Sequence, residues 1–158
     1  MPSHTPLYTP EQRRRRDGTR WTLVQGVLAP LQFVVFGISL VLVLRFLASG
    51  QGETAAALSV LAKTLLLYTI MLTGCAWEKA VFGRWLFAAA FFWEDVFSML
   101  VLALHTAWLV AWSTDALGAR GRMLLALAAY AAYVINAAQF LLKLRAARLQ
   151  GTAQGVPA

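Results

Sequence analysis

The chain has 158 residues, of which 59% are hydrophobic and 13% charged, with a formal net charge of +7. A soluble domain is about 25% charged and about 45–50% apolar, and a chain this short cannot hide such an apolar surplus in one globular core. The composition excludes an ordinary soluble enzyme, a disordered protein and a nucleic-acid module, and leaves an integral membrane protein.

In chain order, residues 1–20 read as a basic polar tail. Trp21 to Leu44 then runs without an ionisable group. Thr54 to Trp77 is apolar except for Lys63, and Trp85 to Thr114 except for Glu94, Asp95 and His105. Met123 to Leu142 carries no charge. Each run reaches the ~20 residues that cross the hydrocarbon layer as a helix. The runs are continuous rather than alternating, which favours helices over a barrel. The expected fold is therefore all-α: a four-helix transmembrane bundle over 21–143, with helices near 21–47, 54–77, 85–113 and 123–143. Residues 144–158 read as a second polar tail. The first run is too long for the core of a cleaved signal peptide, which spans about 7–15 residues. Its length also argues against reading Arg13–Arg16 as a twin-arginine export signal.

Orientation follows the Lys and Arg distribution. With the N-terminus inside, ten basic residues lie on the cytoplasmic side: Arg13 to Arg16, Arg20, Lys79, Arg84, Lys143, Arg145 and Arg148. Three, Arg45, Arg120 and Arg122, lie opposite. Four crossings place both termini in the cytoplasm, as expected of a multi-pass protein of the bacterial inner (intracytoplasmic) membrane. The net charge then reads as an orientation signal, with anionic lipid as a secondary partner and nucleic acid as none. Cys75 is the only cysteine, so no internal disulfide forms and no cysteine-based metal site is expected. His4 and His105 are the only histidines. A bis-histidine haem within one chain is disfavoured because His4 lies in a polar tail. No metal site is expected.

Ionisable groups inside a span are functional candidates because each is costly in hydrocarbon. Glu94 and Asp95 stand out within Phe91–Asp95. On a helix starting near Leu86, Glu94 lies roughly 12 Å in. Glu94, Ser98 and His105 share one helical stripe, and Asp95 lies a quarter-turn round. The fourth helix brings Asn136, Gln139 and Lys143 to the same half of the bundle, with Tyr133 nearby. The first helix contributes Gln25 and Gln32, and the second ends in Glu78. Polar groups from four helices thus converge on one half of the bundle, where bundles build their sites. Two adjacent carboxyls in low dielectric cannot both ionise cheaply, so one stays protonated and can act as a general acid. The other can orient a water. Such a site suits water addition to, or isomerisation of, an apolar conjugated substrate. It does not suit phosphoryl transfer.

Blander readings sit beside these. Glu94 and Asp95 can be structural partners of Lys143, Arg84 or Lys63. Asn136, Gln139, Gln25 and Gln32 can be interhelical glue. His105 can bond a neighbouring carbonyl rather than a metal. Lys63 is expected to snorkel outward or cap the bundle. Trp21, Trp77, Trp85 and Trp112 lie near run ends like an interfacial belt. Phe91, Phe92 and Trp93 read as packing, though their place beside the acids suits a flat ring system.

Several stretches together carry a resemblance. They are Leu7-Tyr8-Thr9-Pro10-Glu11-Gln12 with Arg13 to Arg16, Trp21 to Gly26, Trp77-Glu78-Lys79 with Phe82-Gly83-Arg84, Phe91 to Met99 continuing to Ala103-Leu104-His105-Thr106, and Tyr133 to Phe140 with Lys143-Leu144-Arg145. Over about residues 7–150 the chain resembles the vinyl bacteriochlorophyllide hydratases of purple phototrophic bacteria. The resemblance implies hydration of the 3-vinyl group (also called 2-vinyl) of a chlorophyllide-type magnesium tetrapyrrole to 1-hydroxyethyl, in bacteriochlorophyll synthesis. No cofactor is required. The partners are then the tetrapyrrole, water and the lipid bilayer. Contacts with further copies of the chain or with neighbouring pathway enzymes stay open.

On that reading Glu94 and Asp95 are the expected catalytic pair: one protonates the terminal vinyl carbon, and the other directs water with Asn136 or Gln139. Arg84, Lys79 and Lys143 are expected to meet the substrate propionate. Gln25, Gln32, Glu78, Trp93, Ser98, His105 and Tyr133 complete the expected substrate-binding set. His105 as a magnesium ligand ranks below the acids, because it lies roughly 16 Å from Glu94 along the axis. Two alternatives differ in class. A non-enzymatic four-helix protein would bind or handle pigment without forming hydroxyethyl product. A quinone or haem redox subunit would show a visible spectrum.

Overall fold

The computed structural model describes residues 5–153 and 155. His4 falls outside them. The described chain is helical, in the order α1 (Pro10–Gly18), α2 (Arg20–Ser49), α3 (Glu53–Phe82), α4 (Phe92–Ser113) and α5 (Gly118–Ala153). Helices α2 to α5 are each long and apolar enough to cross a membrane. Many of their large apolar side chains, Leu23, Leu72 and Leu141 among them, point outward, as suits a lipid surround.

The basic segment after Thr9 is a helix rather than a plain polar tail. The Thr9 hydroxyl accepts from the Gln12 N–H, and the Gln12 side chain accepts from the Thr9 N–H, closing a capping box with Pro10 in the first turn. Helices α2 and α3 end at Gly50 and Gly83, whose φ angles of 70° and 79° suit glycine.

The helices pair as two antiparallel hairpins. In the first, Gln25 donates to Thr73 at 2.6 Å near one end, and Ser39 meets Ser59 at 2.8 Å further along. In the second, the Ser98 hydroxyl of α4 lies 3.0 Å from the side-chain oxygen of Asn136 of α5. The hairpins meet through Phe36 against Tyr130 and Tyr133, a 2.5 Å hydrogen bond between Ser39 and Tyr130, and one of 2.8 Å between Tyr68 and Thr106. The main core includes Phe36, Val43, Val101, Trp108, Met123 and Tyr130. A smaller cluster of Tyr8, Val81 and Phe91 closes the end that carries both termini. Trp77 packs against it and donates to Thr22 at 2.9 Å, so it is an internal strut rather than part of a belt. At the opposite end Arg122 bridges Asp115 at 2.5 Å and Glu53 at 3.0 Å.

The second span runs on to Phe82, five residues past the expected end, and the third and fourth spans differ more. The third span begins at Phe92, not near residue 85. Its expected first turns are broken at Phe87, which has a φ of 57°. There the N–H groups of Phe87 and Ala88 turn to carboxylates instead of preceding carbonyls. The fourth span runs from Gly118 to Ala153, well into the expected tail. Its added turns, Leu144 to Gln150, are rich in good helix formers, and Ala147 packs on the Tyr8 cluster.

Candidate functional site

The late start of α4 relocates the two acids. Glu94 and Asp95 lie in its first turn, so they sit at the mouth of the span and not some 12 Å inside it. Acids in a first turn complement the helix dipole, and both are buried.

Their partners differ. Glu94 accepts from the Lys143 ammonium at 2.7 Å. Its backbone carbonyl takes hydrogen bonds from Ser98 at 2.8 Å and Asn136 at 2.9 Å. Asn136 reaches Gln139 at 3.4 Å. Thus α4 and α5 are joined here by Glu94, Ser98, Asn136, Gln139 and Lys143. Asp95 turns the other way, toward Glu78 of α3, its neighbouring carboxyl. It also accepts the Phe87 N–H at 2.9 Å, while Glu78 accepts the Ala88 N–H at 3.1 Å.

The close carboxyl pair is therefore Glu78 with Asp95. The expected pairing of Glu94 with Asp95 is not what the fold builds. Neighbours in a helix point about 100° apart, so adjacent acids face different helices. Two carboxyls this close can share a proton only if one of them carries it. The arrangement is a pair of neighbouring carboxyls beside a salt-bridged third.

Phe91 forms the apolar wall. Its ring stacks on Phe140 at 5.7 Å and meets Trp77 and Phe82 edge-on. Lys143 Nζ lies 5.3 Å from its centre. Tyr8 stacks on Phe82 at 5.8 Å, with the Arg16 guanidinium 4.9 Å from the tyrosine ring centre. A cleft of about 510 Å³ opens beside this wall, bounded by Thr5, Leu7, Thr9, Gln12, Phe82, Arg84 and Ala88 to Ala90. Ala88 connects the cleft to the pair, since its own N–H binds Glu78.

Other expected members lie elsewhere. Trp93 is 72% exposed and faces outward, away from the acids. Lys79 donates to the Gly83 carbonyl at 2.9 Å near Trp85. Gln25 ties α2 to Thr73. Gln32, His105 and Tyr133 lie deeper in the bundle. His105 Nδ1 bonds the Val101 carbonyl at 2.8 Å. Lys63 neither snorkels nor caps: it is fully buried, with Nζ 3.6 Å from the centre of the Tyr133 ring.

Tyr8 and the strained Phe87 were not among the expected site residues. The Tyr8-Thr9-Pro10 capping signal hints that the segment is ordered, but nothing local predicts a buried Tyr8. Among the described residues no group of three or more metal-ligating side chains comes together.

Fold and site define the class: a four-span helical membrane protein with a buried carboxyl site at one end. Residues 8–146 match the family of 2-vinyl bacteriochlorophyllide hydratase, and the chain belongs to that family. It is 64% identical over 153 residues to the 2-vinyl bacteriochlorophyllide hydratase of Rhodobacter capsulatus, covering 97% of this chain and 89% of that one. It is 67% identical over 147 residues to the protein of the same name from Cereibacter sphaeroides, covering 92% and 91%. No solved structure matches the chain.

Proposed function

We propose that the chain hydrates the 2-vinyl group (3-vinyl in the other numbering) of a bacteriochlorophyllide, as its relatives' names describe. The observation that carries this reading is the match over nearly the whole length, with 64% and 67% identity. The site supplies the chemistry. The proton held between Asp95 and Glu78 passes to the terminal vinyl carbon. The C=C electron pair forms the new C–H bond, and positive charge develops on the carbon next to the ring, where the macrocycle spreads it. Water attacks that carbon and returns one proton to the carboxylate pair, leaving a 1-hydroxyethyl group. Glu94, held by Lys143, stabilises the developing cation. Asn136 and Gln139 lie on the same face to position water. No cofactor is consumed.

Arg84, on the cleft wall, is the cation we assign to the substrate's propionate, since a guanidinium matches a carboxylate in two hydrogen bonds. Phe82, on the cleft wall and backed by Phe91, offers a ring against which a flat macrocycle can stack. The ten-to-three distribution of Lys and Arg supports a cytoplasmic position for this end of the bundle, in the bacterial inner membrane. The experiment is direct. Purified protein in lipid nanodiscs is given vinyl bacteriochlorophyllide, and the hydroxyethyl product is measured for wild type, Glu78→Gln and Asp95→Asn. Loss of turnover in both variants is expected. Near wild-type turnover in both would remove the pair from the mechanism. Pigment binding by the wild type without product would overturn the hydratase reading itself.

A further inference from the structure

We propose that Gln32, Lys63 and His105 enclose a water-binding site on the bundle axis, separate from the carboxyl pair. Lys63 and His105 are 0% exposed and Gln32 is 2% exposed. Lys63 Nζ, His105 Nε2 and Gln32 Oε1 have no hydrogen-bond partner among the described residues. Unpaired polar atoms are costly inside hydrocarbon, so a ligand that satisfies them is strongly favoured.

The three residues share one level of the bundle. Lys63 Nζ lies 3.6 Å from the Tyr133 ring centre and 6.0 Å from that of Tyr130. The His105 ring lies 5.9 Å from Tyr130. His105 and Lys63 are electrostatic neighbours. The contacts of Gln25 with Thr73 and Ser39 with Ser59 fix the α2–α3 register, which sets Gln32 within one helical turn of Lys63. Phe33 and Phe36, flanking Gln32 on α2, both pack on Tyr133.

The donor and acceptor inventory selects the ligand. Lys63 offers N–H donors in either protonation state. His105 commits Nδ1–H to the Val101 carbonyl, which leaves Nε2 as an acceptor. Gln32 Oε1 is a second acceptor. An anion would meet two acceptors, and a cation would meet the lysine. A molecule that accepts once and donates twice fits, and water is the smallest that does. Buried water typically makes about three hydrogen bonds, the number offered here. Lys63 precedes Glu78 by about four helical turns, roughly 22 Å along α3, so this is no extension of the carboxyl site. The inference does not depend on the hydratase reading.

The test is hydroxyl-radical footprinting by X-ray radiolysis of the full chain in lipid nanodiscs, with oxidation read by mass spectrometry. Radicals formed from a bound water oxidise its neighbours despite their burial. His105 and Tyr133 are expected to oxidise several-fold faster than Met123, an intrinsically reactive side chain that is also 0% exposed. Equal, slow oxidation of all three in the wild type overturns the proposal. Lys63→Met is expected to bring His105 and Tyr133 down to the Met123 rate with circular dichroism unchanged, and unchanged oxidation in that variant removes Lys63 from the site. If Lys63→Met does not fold, Gln32→Leu takes its place under the same criteria. The wild-type comparison decides the proposal in either case.

Discussion

The Asp95 carboxylate accepts the backbone N–H of Phe87 at 2.9 Å, and Phe87 has a φ of 57°. A left-handed conformation at a bulky residue costs about 1–2 kcal/mol, and such strain persists where surrounding contacts over-determine it. Asp95 and Glu78 supply those contacts through successive N–H groups. The same two side chains therefore shape the turn and, on the proposed mechanism, hold the proton, and substitutions can separate the roles.

Asp95→Asn keeps a side-chain oxygen for the Phe87 N–H and removes the acid. Turnover is expected to fall by about 10²- to 10⁴-fold, with the melting temperature close to wild type. Asp95→Ala removes both, and is expected to lose about 1–3 kcal/mol of stability as well. Product assays and thermal melts in nanodiscs separate the two variants. Equal melting temperatures for Asn and Ala would deny Asp95 its part in the turn.

Hydration should depend on pH with an alkaline limb. The pair works while it holds one proton, and raising the pH removes that proton. The rate is therefore expected to fall as the solution becomes alkaline. A flat profile over roughly pH 5 to 9 would exclude a titrating carboxyl donor.

Tyr8 docks the N-terminal segment. Burial holds its hydroxyl above the ordinary value of 10.0, against the opposing pull of Arg16. A raised value means that the docked form keeps its proton longer, so docking is complete below pH 10 and weakens as pH rises through the tyrosine range. Limited proteolysis of the first helix should accelerate at high pH in the wild type, and less so in Tyr8→Phe. Tyr8→Ala should expose the segment at neutral pH, since losing a buried aromatic ring costs about 3–5 kcal/mol. Resistance of Tyr8→Ala to proteolysis would contradict the docking role.

Phe91 and Trp93 are two residues apart and face opposite surroundings. Phe91 is buried among four aromatic rings, whereas Trp93 is exposed. Phe91→Ala is expected to lose about 3–5 kcal/mol together with activity. Trp93→Ala should keep wild-type turnover within about twofold, as expected of surface changes within ~0.5 kcal/mol. A large loss of turnover in Trp93→Ala would return that ring to the substrate site.

At the far end, Arg122→Met should lower the melting temperature by a few degrees. It unties the start of α3 from the α4–α5 turn through Glu53 and Asp115. Turnover at low temperature should be unchanged, because the carboxyl pair lies at the other end of the bundle. A turnover loss without a melting shift would contradict a purely structural clamp.

The spans were legible because runs of about 20 residues without charge have few other uses in a chain this small. The joining of Glu94 to Lys143 was foreseen among the blander readings, since both lie on inward faces of their helices. Helix periodicity alone could not find the break before Phe92. Leu86 to Phe92 reads as apolar and helical, while a left-handed Phe87 leaves no mark on hydropathy. Nor could spacing choose between Glu94 and Glu78 as the partner of Asp95, because that choice depends on which helices meet. Lys63 misled for a related reason: its length permits an escape to water, but its direction is set by the packing of α3 against Tyr133.

The two hairpins each contribute half of the acid. Glu78 belongs to the hairpin of α2 and α3, and Asp95 to that of α4 and α5. Each hairpin can insert and satisfy its own backbone before the two associate, as membrane helices do. On the proposed mechanism neither half holds the shared proton alone. Catalytic competence is then expected as a late step of assembly, when the second hairpin docks on the first, and a half-assembled chain in the bilayer is expected to be inert toward vinyl groups.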